Sequence, residues 1–144
     1  MRFTGLVILI VISVTGCQNN MTDSSGSLGI EKIQAAEILG SYTFDLYEGK
    51  SLQVTNHGSF VIDHADGDVF TGTWQIDSGS SGTVFCTQEN GTLYIHLDIP
   101  GLLPQEYLLI GTLNDGAIAG QWRFNVEVFS MQASGDWFRA VITE

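Results

Sequence analysis

From Gly40 onward, apolar and polar residues alternate with a period of two, the signature of a strand with one face buried. Tyr42, Phe44 and Leu46 fall on one face and Ser41, Thr43 and Asp45 on the other, and the period runs on through Leu52 and Val54 beyond a turn at Glu48-Gly49. Similar runs at 59–64 and 69–76 flank an Asp-Gly turn, and runs at 83–89 and 92–97 flank Asn90-Gly91. Both residues of that pair tolerate positive φ, so they predict a two-residue hairpin. Further strands are predicted at 106–113, from Ala117, and at 136–143. The strand from Ala117 places Ile118, Gly120, Trp122, Phe124, Val126 and Val128 on one face, opposite Gln121, Arg123, Asn125 and Glu127. The short connections imply sequential antiparallel pairing. The expected fold is therefore all-β: an antiparallel meander of about eight to nine strands forming a small β-barrel or barrel-like sandwich. The raggedly spaced apolar residues of 30–39 predict a short helix ended by Gly40.

All three tryptophans follow a glycine at a spacing of two, in Gly72-Thr73-Trp74, Gly120-Gln121-Trp122 and Gly135-Asp136-Trp137, and Gly40-Ser41-Tyr42 is a fourth version. Side chains two apart share a face, so each glycine leaves room beside the largest side chain and permits the close approach a closing sheet needs. Tyr42, Phe44, Trp74, Trp122, Phe124 and Trp137 are the candidate wall, either of a ligand cavity or of a filled core. The layout of 40–143 resembles the small up-and-down barrels of the lipocalin and avidin type, whose strands carry Gly-x-Trp. The resemblance implies the fold, and no binding residue is carried over from it.

The N-terminus has a different character. Met1-Arg2 precedes an apolar run over 6–14, the length of a signal-peptide core and too short to span a bilayer as a helix. It ends in Val14-Thr15-Gly16-Cys17 and becomes abruptly polar at Gln18-Asn19-Asn20. This resembles the lipobox of bacterial lipoproteins, with Val14 where the family more often has Leu. The resemblance implies cleavage before Cys17, diacylglyceryl and further acylation (palmitate-type chains) on that residue, and, with Gln18 rather than Asp in the second mature position, delivery to the outer membrane. Several acyl chains on one cysteine suffice for stable anchoring. The expected organisation is a signal peptide at 1–16, a lipidated N-terminus and polar tether at 17–39, and a β domain at 40–144.

Charge narrows the partners. With 16 Asp plus Glu against 5 Lys plus Arg, the chain carries −11 and repels nucleic-acid phosphates. Seventeen glycines against two prolines suit tight turns between strands. Cys86, the second cysteine, alternates with Val84 on the apolar face, where it is expected to act as a small hydrophobe rather than as a nucleophile or a disulfide partner of Cys17. His57 and His64 lie near turns and His96 is expected to face outward. Asp63, His64, Asp66 and Asp68 form the one cluster with metal-binding residue types. Their spacing fits neither a twelve-residue calcium loop nor a zinc pair, so a solvated turn is expected and no metal or cofactor is assigned. The inward positions are nearly all apolar and supply no acid, base or nucleophile. The expected function is thus noncatalytic binding, of a small apolar ligand inside the barrel. The alternative is a protein-interaction role, as inhibitor or envelope assembly factor, through the acidic surface and Leu102-Leu103. That leucine pair, in a proline-bounded loop, is expected either to meet a partner or to cover the open end of the core.

Overall fold

The computed structural model describes residues 32–49, 53–126, 131–134 and 137–143, with the backbone course alone for 126 and 131–134. The expected signal peptide at 1–16, Cys17, the expected tether up to 31, Leu52 and Val128 lie outside the described residues. The order is α1 (Ala35–Ile38), β1 (Gly40–Tyr47), β2 (Val54–Asp66), β3 (Val69–Ile76), β4 (Ser81–Glu89), β5 (Thr92–Ile99), β6 (Gln105–Asn114), β7 (Ala117–Val126), β8 (Met131–Ser134) and β9 (Trp137–Thr143). Each strand from β1 to β7 pairs antiparallel with the next. β9 then pairs with both β1 and β7 and closes the sheet on itself. β8 extends the β7 side of the same seam, so the wall is an eight-stranded antiparallel barrel with β8 and β9 sharing the last position.

The turns follow the sequence. Asn90 and Gly91 take φ of 53° and 75°, and Asp115 and Gly116 take 49° and 73°, the left-handed values a two-residue hairpin requires. Two of the points in the wall where only glycine fits are Gly72 and Gly120. A Cβ on Gly72 would sit 1.8 Å from the Val61 carbonyl oxygen, and one on Gly120 would sit 1.9 Å from that of Ile110. Both belong to Gly-x-Trp triplets, so the expected close approach is an approach of backbone to backbone.

Three irregularities depart from simple alternation. In β2, Thr55 is an extra residue between the pairs Leu46↔Asn56 and Tyr47↔Val54, and Asp63 is one between Ile62↔Gly72 and His64↔Thr71. Such bulges reverse side-chain parity. Val54, expected inward, is consequently turned out and 46% exposed. At the seam, three positions separate Gly120 from Arg123 on β7, but four separate their partners Phe138 and Ser134. That single-residue shift reverses parity ahead of β9.

The core is one cluster running the length of the barrel, with Tyr42, Phe44, Phe60, Phe70 and Phe138 as its largest fully buried side chains. Among the described residues no polar or charged side chain is buried. Helix α1 is a single turn, shorter than the expected 30–39. Leu39 leaves it in an extended conformation, and Gly40 opens β1 rather than capping the helix. Ile38 is fully buried, and Ile33, Ala35 and Leu39 pack against the same cluster.

Candidate functional site: the two ends of the barrel

The two ends differ in chemistry. At the end holding the start of β1 and the Asn90-Gly91 and Asp115-Gly116 turns, α1 lies across the opening. The Tyr42 hydroxyl donates to the Ile38 carbonyl at 2.8 Å, and the Gln88 side-chain amide donates to the Ile33 carbonyl at 3.1 Å. The first satisfies a carbonyl that a one-turn helix leaves open, and the second ties the chain just ahead of α1 to β4. Lys32 forms an ion pair with Asp68 at the same rim. Burial pushes the Tyr42 hydroxyl up to about 12, with Cys86 adding to the shift. The Cys86 thiol is likewise pushed up to about 12 by burial. It is a free, neutral thiol in the core.

The opposite end gathers aromatic rings. Tyr107 on β6 faces inward in alternation with Leu109, and its ring lies 5.0 Å from Phe124, 6.1 Å from Trp122 and 6.1 Å from Trp74, the last edge-on. Trp74 and Trp122 are buried, whereas Tyr107 and Phe124 are half-buried and form the rim. Both indoles are tied to the wall. Trp74 Nε1 donates to the Asp98 carbonyl at 3.0 Å across Gly82, and Trp122 Nε1 donates to the Tyr47 carbonyl at 2.8 Å. The indole N–H groups are thus satisfied within the wall, which lets the ring faces line the mouth without an unpaired donor. Burial raises the Tyr107 hydroxyl above its usual value. Tyr107 was not singled out by the Gly-x-Trp pattern, although its alternation with Leu109 points it inward.

The remaining candidates are distributed as follows. Tyr42 and Phe44 are buried in the core, Tyr42 stacking on Phe60 at 4.8 Å. Trp137 does not join the wall. The parity shift at the seam turns Phe138 and Ala140 inward and Trp137 outward, where its ring stacks on the cross-strand neighbour Tyr47 at 3.7 Å and 3°. Leu102 is fully exposed at the tip of the β5–β6 loop, and Leu103 beside it is 38% exposed. Asp63 sits at the β2 bulge, Asp66 ends β2, and Asp68 is held by Lys32. Among the described residues, no three His, Cys, Asp or Glu side chains converge on a point where a metal ion would fit.

On the outer face near the aromatic end, His96 Nδ1 lies 2.7 Å from Glu106 Oε2, and Asn125 Nδ2 donates to Glu106 Oε1 at 2.8 Å. Asp98 lies directly across the strand pair from Glu106. These side chains border a cleft of about 720 Å³ below the β5–β6 loop. A second cleft, about 810 Å³, follows the seam between α1 and the Asp115-Gly116 turn. His57 forms a separate surface pair with Asp45 at 2.5 Å. That hydrogen bond is the main cause of its raised pKa, which its slight burial opposes.

No family model matches the chain. No curated protein matches it either. Among solved structures it is similar to apo lipid binding protein 8 of Caenorhabditis elegans, at 14% identity and a TM-score of 0.40, over 79% of this chain and the whole of that one.

Proposed function

We propose that this chain is a noncatalytic binding module, held at the outer membrane by acyl chains on Cys17, that takes a small apolar ligand at the aromatic end of its barrel. The observation that carries the binding reading is the asymmetry of the barrel: one end is stopped by α1, and the other presents Tyr107 and Phe124 over the tethered indoles of Trp74 and Trp122. An eight-stranded barrel either fills with its own side chains or holds one small ligand. Here buried side chains run the length of the barrel, and the partly exposed aromatics Tyr107 and Phe124 lie at the end away from α1. The anchoring reading is supported by the order of charge, apolar run, small residues and cysteine over 1–17.

A soluble form lacking residues 1–20, carrying Trp137→Phe so that only Trp74 and Trp122 emit, tests the binding site. Brominated fatty acids should quench that emission saturably at about one ligand per chain, and Tyr107→Ala should weaken the quenching. Emission that declines without saturation, or to the same extent after Tyr107→Ala, would overturn the reading.

A second reading, interaction with another protein, is favoured by one feature: Leu102, fully exposed at the tip of the β5–β6 loop with the partly exposed Leu103 beside it. The pair would supply the apolar area of such a contact.

A further inference from the structure

We propose that the outer cleft below the β5–β6 loop is a docking groove for a basic segment of a partner protein, with Asp98 as the receiving carboxylate. The site is separate from the barrel mouth, because Asp98, His96 and Glu106 alternate with the inward residues Leu97 and Tyr107 and face the outside. The proposal takes from the second reading only the kind of occupant.

The outer face of the wall carries an electrostatic cost here. Asp98 and Glu106 are register partners on adjacent strands, and like charges placed directly opposite are destabilising. Glu106 is compensated, with one oxygen on His96 and the other on the Asn125 amide. Asp98 has no comparable side-chain partner among the described residues, and no Lys or Arg is among those that line the cleft. The nearest cation along β7 is Arg123, two positions before Asn125, and it forms no ion pair with either carboxylate.

The Asp98 backbone is fixed from within, since its carbonyl accepts the Trp74 indole and packs against Gly82. The carboxylate therefore stands on a rigid strand and not on a loop, which lowers the entropy lost when a cation is bound. Its surroundings suit a chain segment better than a lone ion. The cleft measures about 720 Å³, and Ile99, Pro100 and Pro104 give it one apolar wall. Leu102 projects beside it from the same loop. One unpaired carboxylate, Asp98, beside a second that His96 and Asn125 already hold, on a chain of net charge −11, matches a basic occupant and repels an acidic one.

The test uses the full chain in nonionic detergent at low salt, titrated with a fluorescein-labelled tetra-arginine amide. The expected result is saturable one-to-one binding, about fivefold weaker after Asp98→Asn and unchanged after Asp115→Asn, a carboxylate at the far end of the barrel. Asp98→Asn removes no described hydrogen bond, so its melting temperature should match that of the parent chain. Leu102→Ser should also weaken tetra-arginine binding but leave fatty-acid quenching of the mouth unaltered. Equal losses for Asp98→Asn and Asp115→Asn would show diffuse attraction to an acidic surface and overturn the proposal. Free arginine amide binding as tightly as the peptide would overturn it too, by making the cleft a small-cation site. Loss with Leu102→Ser but not with Asp98→Asn would leave the interaction reading standing and remove the groove.

Discussion

Trp122 and Trp137 occupy the same local sequence, yet one lines the mouth and the other stacks on Tyr47 outside the wall. Their difference predicts unequal costs. Trp122→Phe should destabilise the barrel by about 1–3 kcal/mol in urea unfolding, since it leaves the Tyr47 carbonyl without its indole donor and removes buried area. Trp137→Phe should cost less than about 1 kcal/mol. Cys86, neutral at any physiological pH, should resist thiol reagents at pH 8 until the chain unfolds, and labelling as fast in buffer as in denaturant would contradict its placement. His57 has a raised folded-state pKa, so its pairing with Asp45 stabilises most below the unfolded-state value and the benefit fades as pH rises through the folded value. The pair is half-exposed, so the effect on stability should stay within about 1 kcal/mol and vanish in Asp45→Asn. The identities and inward placement of Trp74 and Trp122 could be read from alternation. The outward turn of Trp137 could not, because it depends on one extra residue at the seam, which adjacent polar and small residues do not announce.

Among the elements, α1 shows most clearly how tertiary packing overrides local pattern. A four-residue helix is far below the length that is stable alone, and it persists because Ile38 fills the barrel end while Tyr42 and Gln88 hold its neighbouring carbonyls. Ile38→Ala should therefore cost about 2–4 kcal/mol, and Tyr42→Phe about 1 kcal/mol, as shifts in the unfolding midpoint. If α1 is a plug and not a fold nucleus, both variants should retain the β-sheet circular dichroism of the parent. The hairpins were plain in the sequence, because Asn90-Gly91 and Asp115-Gly116 supply positive φ where two strands meet. The bulges at Thr55 and Asp63 were not, and they explain both the single long β2 strand and the exposure of Val54. The outer cleft escaped the sequence for a related reason. His96, Asp98, Glu106 and Asn125 come from three strands, and only the register brings them side by side.

At the scale of the whole molecule, closure through β9 places the α1 end and the aromatic end at opposite poles of one barrel. The described chain enters the barrel at the α1 pole, and the aromatic mouth and the β5–β6 loop lie at the other. The measurement that bears most directly on this account is native mass spectrometry of the protein released from membranes in mild detergent. The account predicts a chain beginning at Cys17, carrying acyl mass on that residue, with one apolar molecule bound noncovalently and lost on collisional activation or after Tyr107→Ala. A chain with no retained molecule at any activation energy, from membranes and after lipid supplementation alike, would contradict the claim that the barrel is a receptor for an apolar ligand.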